Sequence, residues 1–235
     1  ILVKQKTGER AVFFERSTAT EPEFLEAHKQ LIESAYILHI NGRHRKLMRS
    51  AMAVAKEVGT IISLDGGAQR YDEDMKPITE ASHIVIVARD YAEKYTGTTN
   101  LEDACRIIHE RGACIAGVTD GANGSYFVWP DGTFYRCEPF TQATVVDTTG
   151  AGDSFHGAFL ANLVHTINHM KGQDTTSTTK HDRASIHAVE LLKACAHSDL
   201  EKAAIFASAV ASLNTQGIGG RSPLPTLKSV QELIG

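Results

Sequence analysis

The run Val146-Asp147-Thr148-Thr149-Gly150-Ala151-Gly152-Asp153-Ser154-Phe155-His156-Gly157 carries the plainest chemistry in this chain: small residues with a carboxylate at each end, opening an apolar helix. Gly150, Ala151 and Gly152 leave the backbone uncovered. Their N–H groups can converge on an anion, and the helix adds the positive end of its dipole. Asp153 falls on the first helical turn, where a general base reaches a substrate hydroxyl. An anion-binding loop beside a base is what phosphoryl transfer to an alcohol requires. The plainer alternatives are a glycine-rich strand-to-helix turn and a carboxylate that only complements the dipole.

Three further stretches have the right residue types. Thr119-Asp120-Gly121-Ala122-Asn123-Gly124 follows an apolar run, although Gly-x-x-Gly after a strand is often just a tight turn. Asn214-Thr215-Gln216-Gly217-Ile218-Gly219-Gly220-Arg221-Ser222-Pro223 ends a helical pattern in a glycine-rich turn, for which a helix C-cap is the bland explanation. Asp65-Gly66-Gly67 closes a strand pattern and Arg70 follows closely. Ligands of open α/β sheets bind at the carboxyl ends of strands, so Asp65 and Arg70 either face a substrate cleft or form a loop salt bridge. No Gly-x-x-x-x-Gly-Lys-Ser/Thr loop is present, which closes the P-loop route to nucleotide binding.

The elements that must position these residues alternate. Residues 1–5 and 11–15 read as a hairpin around Thr7-Gly8-Glu9. Thr20-Glu21-Pro22-Glu23 reads as a capping box opening a helix to about Ser34. Residues 36–40, 60–64, 83–88 and 113–119 are β-rich apolar runs, separated by helical patterns at 43–58 and 101–111 that end at Gly59 and Gly112. Near-continuous apolar strands joined by helices imply a doubly wound, mainly parallel α/β sheet with helices on both faces. Residues 124–129 and 133–138 read as an antiparallel hairpin through Pro130-Asp131-Gly132. Helices follow at 151 to about 165, at 200–213 and at 226–234.

Composition bounds the rest. The 235 residues are 42% hydrophobic, enough for one large α/β domain. A net charge of −4 without long basic runs argues against a nucleic-acid partner. No apolar stretch reaches the ~20 residues that span a bilayer, and the opening residues lack a signal-peptide layout. Cys105, Cys114, Cys137 and Cys195 show no Cys-x-x-Cys spacing, which fits a reduced, cytoplasmic protein with small core thiols. The polar run 174–180 marks a flexible insertion at 166–183. Its surroundings hold His165, His169, His181, His187 and His197, read as solvated surface histidines rather than a metal site.

The 146–157 run resembles the C-terminal signature of the ribokinase-like (PfkB) carbohydrate kinases, close to Asp-Thr-x-Gly-Ala-Gly-Asp followed by small and apolar residues, with every constrained position matched. The resemblance implies the three-layer ribokinase-like fold and ATP-dependent phosphorylation of a primary hydroxyl of a small sugar or sugar acid. It makes Asp153 the catalytic base and Gly150, Ala151 and Gly152 the anion hole. Residues 119–124 resemble the loop beneath the ATP phosphates, through Thr119, Gly121, Asn123 and Gly124. The 214–220 turn becomes the border of the adenine, with Ser208 and Gly217 as neighbours. Asp147, Thr149, Asn214, Gly217 and Gly219 become ligands of a monovalent cation such as K⁺. Mg²⁺ accompanies ATP, and lid strands that pair between subunits in the family imply a homodimer.

Two departures qualify the match. The family's opening segment, with its sugar-contacting Asp, its Gly-Gly-x-x-x-Asn element and part of the lid, has no counterpart. Residues 1–15 match the hairpin that follows that segment, so the fold is expected to be N-terminally incomplete, with an exposed sheet edge. The resemblance thus covers the later two-thirds of a typical member, and sugar kinase activity is not expected of this chain alone. The Asn-x-x-Glu that often serves the Mg²⁺–phosphate network is replaced around Ala88-Arg89-Asp90-Tyr91, with Asp90 or Glu93 as substitutes through water. A catalytically inactive nucleotide- or sugar-binding homologue and a kinase of pyridoxal or hydroxymethylpyrimidine type are the alternatives.

Overall fold

The computed structural model describes residues 2–4, 10–11, 18–141, 144–173, 188–221 and 224–235. β1 (Leu2–Val3) and β2 (Arg10–Ala11) pair antiparallel as a separate small sheet. Residues 1, 5, 7–9 and 12–15 of the expected hairpin lie outside the described ones. The main sheet follows chain order: β3 (Ile37–Ile40), β4 (Ile61–Gly66), β5 (Ile84–Ala88), β6 (Ile115–Thr119), β7 (Ser125–Val128) and β8 (Phe134–Cys137). β3 to β6 are parallel, and β7 and β8 continue antiparallel. The tight turn between β7 and β8 allows the reversal, while the parallel pairs each need a helical crossover.

Period-two alternation splits the core into two layers. Ile62, Leu64, Val85, Val87, Ala116 and Val118 face one layer, with α1 (Glu26–Ser34), α2 (Arg45–Val58), α4 (Arg89–Thr96) and α5 (Leu101–Glu110). A short α3 (Lys76–Glu80) joins them through Ile78. Ile61, Ile84, Ile86, Ile115 and Phe127 face the other layer, with α6 (Ala151–Gln173), α7 (Ala188–Ala194) and α8 (His197–Asn214). α9 (Leu227–Ile234) packs on α8. Phe127 stacks between Trp129 and Phe159, at 4.8 and 5.7 Å between centroids, which pins α6 to the sheet. All four cysteines are free and buried. Burial pushes the Cys105 thiol up to about 12 and that of Cys195 up to about 11, which marks them as packing residues.

Several elements differ from the sequence reading, the short α3 and α7 among them. α1 begins at Glu26 rather than at the Thr20 box. Glu21 instead accepts the Leu47 N–H at 2.9 Å, so it caps the start of α2 and not its own helix. α6 runs to Gln173 rather than ending near His165, because Leu163, Ile167 and Met170 continue its apolar stripe. Residues 166–173 of the expected insertion are therefore helical, and 174–183 lie outside the described residues. α4 was not anticipated. Buried Tyr91, Ala92 and Tyr95 at helical spacing and the left-handed Gly97 at its end were its signal.

Candidate active site

The signature loop is held by its first carboxylate. Asp147, 3% exposed, accepts the Thr149 N–H at 2.8 Å through Oδ1 and the Gly219 N–H at 2.9 Å through Oδ2. Val146 and Asp147 donate to the Thr215 carbonyl, and Asn214 Nδ2 donates to the Thr149 carbonyl at 3.2 Å. The 147–150 segment and the 214–220 turn thus form one unit. Gly150 has φ +81°, and a Cβ there would lie 2.5 Å from the Gly220 Cα. Even a methyl group is excluded, a tighter limit than the phosphate-binding argument alone requires. At Gly152 a Cβ would meet nothing within 4 Å, so this side of the loop faces open space.

Of the loop donors, Ala151 is drawn toward the Thr148 carbonyl at 3.3 Å, whereas Gly150 and Gly152 donate to no described residue. Asp153 is exposed on the first turn of α6, and no cation pairs with it among the described residues. The Gly152 N–H, the N-terminus of α6 and the uncommitted Asp153 carboxylate therefore share one open surface, with Gly150 buried beside them.

One turn along α6, buried His156 places Nε2 3.3 Å from Asp65 Oδ1, while Arg70 lies 3.9 Å from Asp65 Oδ2 and donates to the Asn41 carbonyl. The loop salt bridge is the arrangement observed. Asp65 is 8% exposed, with both oxygens facing protein groups, so it does not present a free carboxylate to a substrate. Burial alone would raise its pKa. The hydrogen bond and charge of His156, then Arg70 and His39, outweigh burial and hold it below 3.8. The His39 ring lies 5.4 Å from that of His156, and its Nδ1 pairs with Ser63 Oγ at 3.2 Å. Sequence reasoning gave neither histidine a role. Their signal was available: His156 stands three residues after Asp153, and His39, Ser63 and Asp65 interrupt apolar strands on one face.

At the other end, Thr119 closes β6 and Gly121–Asn123 form a 3₁₀ turn. Gly124, at φ +91°, lies so close to the Cys137 carbonyl that no Cβ fits. Asp120 accepts from Arg89 Nη1 at 2.6 Å and from Asn123 Nδ2 at 3.0 Å. Asn123 therefore braces the turn through its side chain. Ser208 and Ser212 of α8 donate to the Glu138 and Phe140 carbonyls, joining α8 to the strand beside the Gly124 turn. The two carboxylates considered as Mg²⁺ substitutes are engaged elsewhere: Glu93 holds Arg89 Nε at 2.9 Å and Asp90 caps the Gln69 N–H at 2.6 Å.

Two oxygens beside Asp147 have no partner among the described residues: Thr149 Oγ1 and Asn214 Oδ1, both buried. Leaving such atoms unpaired costs about 1–3 kcal/mol each. A carboxylate with neutral oxygens is the donor set a hard cation takes. Among the described residues no cluster of three His, Cys, Asp or Glu forms a metal site, and no helix is long and apolar enough to cross a membrane. His181 and His187 lie outside the described residues.

The sequence profile of the pfkB family carbohydrate kinases matches residues 1–227. The chain belongs to this family. Among pfkB relatives, a probable fructokinase-5 of Arabidopsis thaliana is 27% identical over 248 residues, covering 98% of this chain and 68% of the relative. The fructokinase of Vibrio cholerae O395, solved with fructose, ADP and calcium, superposes with a TM-score of 0.64 at 20% identity, over 86% of this chain and 61% of that one. The Arabidopsis thaliana ribokinase complexed with ribose and ATP gives 0.65 at 22% identity, over 91% and 60%. These likenesses establish the ribokinase-like fold. The chain spans about 60% of the length of these two solved structures.

Proposed function

We propose that this chain carries the base, the anion hole and the nucleotide-binding elements of an ATP-dependent kinase acting on a primary hydroxyl of a small sugar or sugar acid. The observation that carries the reading is exposed Asp153 beside the unsatisfied N–H groups of Gly150 and Gly152. Asp153 accepts the proton of the acceptor hydroxyl as it attacks the terminal phosphoryl group. The Gly150–Gly152 backbone, preorganised by Asp147, meets negative charge that grows at the transition state. The 119–124 turn supports the phosphates, and Ser208 and Gly217 border the base of the nucleotide.

Asp147, Thr149, Asn214, Gly217 and Gly219 would hold a monovalent cation such as K⁺, satisfying the two orphaned oxygens. When bound, such an ion supplies positive charge behind the anion hole. Mg²⁺ enters as the complex of ATP, with phosphates and water as most of its ligands. No step is assigned to Asp90 or Glu93. Four buried free thiols are in keeping with a reducing, cytoplasmic setting.

The names of the relatives make fructose and ribose the first acceptors to try, followed by other hexoses, pentoses and sugar acids. In the intact protein, Asp153→Asn should lower phosphoryl transfer by about 10²–10⁴-fold, the usual worth of a general base, while binding of a non-hydrolysable ATP analogue stays close to wild type. Wild-type turnover in that variant removes Asp153 from the mechanism.

A further inference from the structure

α6 is docked on the sheet almost entirely by apolar contact. Phe155 and Phe159 both stack on Phe127, at 6.4 and 5.7 Å between centroids, and Ala158, Leu163 and Ile167 continue the same buried stripe. Between the two phenylalanines stands His156, 4% exposed, which leaves that stripe and meets a carboxylate. Its Nε2 lies 3.3 Å from Oδ1 of Asp65, at the carboxyl end of β4. Among the described residues this is the one polar contact between residues 151–160 of α6 and the sheet, since Ser154 bonds only the Gly150 and Ala151 carbonyls of its own turn.

Asp65 is itself braced. Its Oδ2 faces Arg70 at 3.9 Å, and Arg70 Nη1 donates to the Asn41 carbonyl, just beyond β3, at 3.2 Å. Burial favours the neutral acid, but His156 and then Arg70 hold the carboxyl below 3.8, so it meets the imidazole as an anion. His156 Nδ1, by contrast, is buried and pairs with nothing among the described residues. Packing does not call for this arrangement. Apolar side chains of similar volume replace such buried pairs at little cost or with a gain in stability, and they leave no orphaned nitrogen. What the carboxylate–imidazole contact adds is direction. Apolar burial is non-directional, so the stacked phenyl rings alone let the helix roll about its axis.

That roll sets the aim of Asp153. Residues three apart on a helix are neighbours on its surface, and Asp153 stands three residues before His156. Side chains reach roughly 5–6 Å from the helix axis, so a roll of about 10° carries a carboxylate about 1 Å sideways. A misplacement of about 1 Å costs about 10²-fold in rate. We propose that Asp65 and His156 are a positioning pair: they lock the rotation of α6, so that the Asp153 carboxylate points at the proton it accepts. Neither residue touches the substrate in this role, which rests on Asp153 being the base.

The test is steady-state kinetics beside thermal unfolding of the intact protein, with whichever sugar of the acceptor screen is turned over fastest. The variants are His156→Phe, His156→Gln, the double replacement of His156→Phe with Asp65→Leu, and Asp153→Asn. His156→Phe should lower kcat about tenfold to a hundredfold while the KM values for acceptor and ATP stay within about twofold of wild type. His156→Gln, whose amide still donates to a carboxylate, should recover part of that loss. The double variant exchanges the buried pair for apolar groups, so its thermal midpoint should match or exceed wild type while kcat stays as low as in His156→Phe. Wild-type kcat in the double variant, with Asp153→Asn inactive, overturns the role of the pair and leaves the kinase reading standing. A raised acceptor KM at unchanged kcat would place the pair against the substrate, and a kcat that tracks the thermal midpoint across the variants would mark a structural role. Either result also overturns it. Full turnover in Asp153→Asn sinks the kinase reading itself.

Discussion

Asp147 Oδ2 accepts the backbone N–H of Gly219 at 2.9 Å, joining two loops that stand 72 residues apart in the chain. Its Oδ1 holds the Thr149 N–H at 2.8 Å, so one buried carboxylate shapes both the 147–150 segment and the 214–220 turn.

Replacing Asp147 with Ala therefore leaves two backbone donors unpaired at once. The expected cost is about 1–3 kcal/mol of stability, with weaker binding of an ATP analogue. Urea unfolding and calorimetric titration measure the two effects. An Asp147→Ala variant with wild-type midpoint and affinity would show that the loops hold each other without this contact.

Gly150 and Gly152 should respond in opposite ways. Ala at 150 combines φ +81° with a Cβ 2.5 Å from the Gly220 Cα, and backbone strain of this kind costs about 1–3 kcal/mol. Ala at 152 meets no atom within 4 Å and replaces a glycine in the first turn of a helix, so stability holds or rises by up to about 1 kcal/mol. Under the proposed function its methyl group narrows the phosphate approach, and turnover drops although the fold is intact. Thermal unfolding beside kinetics separates the two, and a destabilised Gly152→Ala would contradict the open setting seen here.

Arg89 links the start of α4 to the 119–124 turn through Asp120 at 2.6 Å, and Glu93 steadies it at 2.9 Å. Under the proposed function, Arg89→Gln should raise the KM for ATP severalfold and leave the acceptor KM alone, with the difference shrinking as salt is added. Identical ATP kinetics at low salt would remove the link between this ion pair and nucleotide binding.

Acid should destabilise the protein through its neutral histidines. His83 Nδ1 accepts the Ile62 N–H at 2.9 Å, and desolvation, then Lys193, hold its pKa below 6.5. The folded state binds fewer protons than the unfolded chain, so this contribution is complete above 6.5 and is lost as the pH falls toward the folded value. His39 acts in the same direction, and Asp65 adds its own loss only below 3.8. The thermal midpoint should fall between about pH 7.5 and about pH 5.5, and fall less in His83→Gln. Parallel pH profiles for the two proteins would rule His83 out as a source.

Much of this was legible along the chain. The helices that end at Gly59 and Gly112, the four parallel strands and the β7–β8 hairpin follow from periodicity and turn chemistry, which are local properties. The Thr20–Glu23 run shows the limit. Its spacing fits a capping box, yet Glu21 within it caps a neighbouring helix, because a side-chain acceptor satisfies whichever orphan N–H the fold brings near. The extra length of α6 was readable in Leu163, Ile167 and Met170, but the polar run beyond it drew the boundary inward.

The sequence by itself determined the glycine-rich turn and the carboxylate on its helix, since glycine freedom and a helix N-terminus need only adjacent residues. It could not decide what Asp65 touches, that Asp147 reaches Gly219, or that the rings of His39 and His156 meet. Those pairings depend on strand register and on which face of α6 lies against the sheet, and both are set when the two core layers pack.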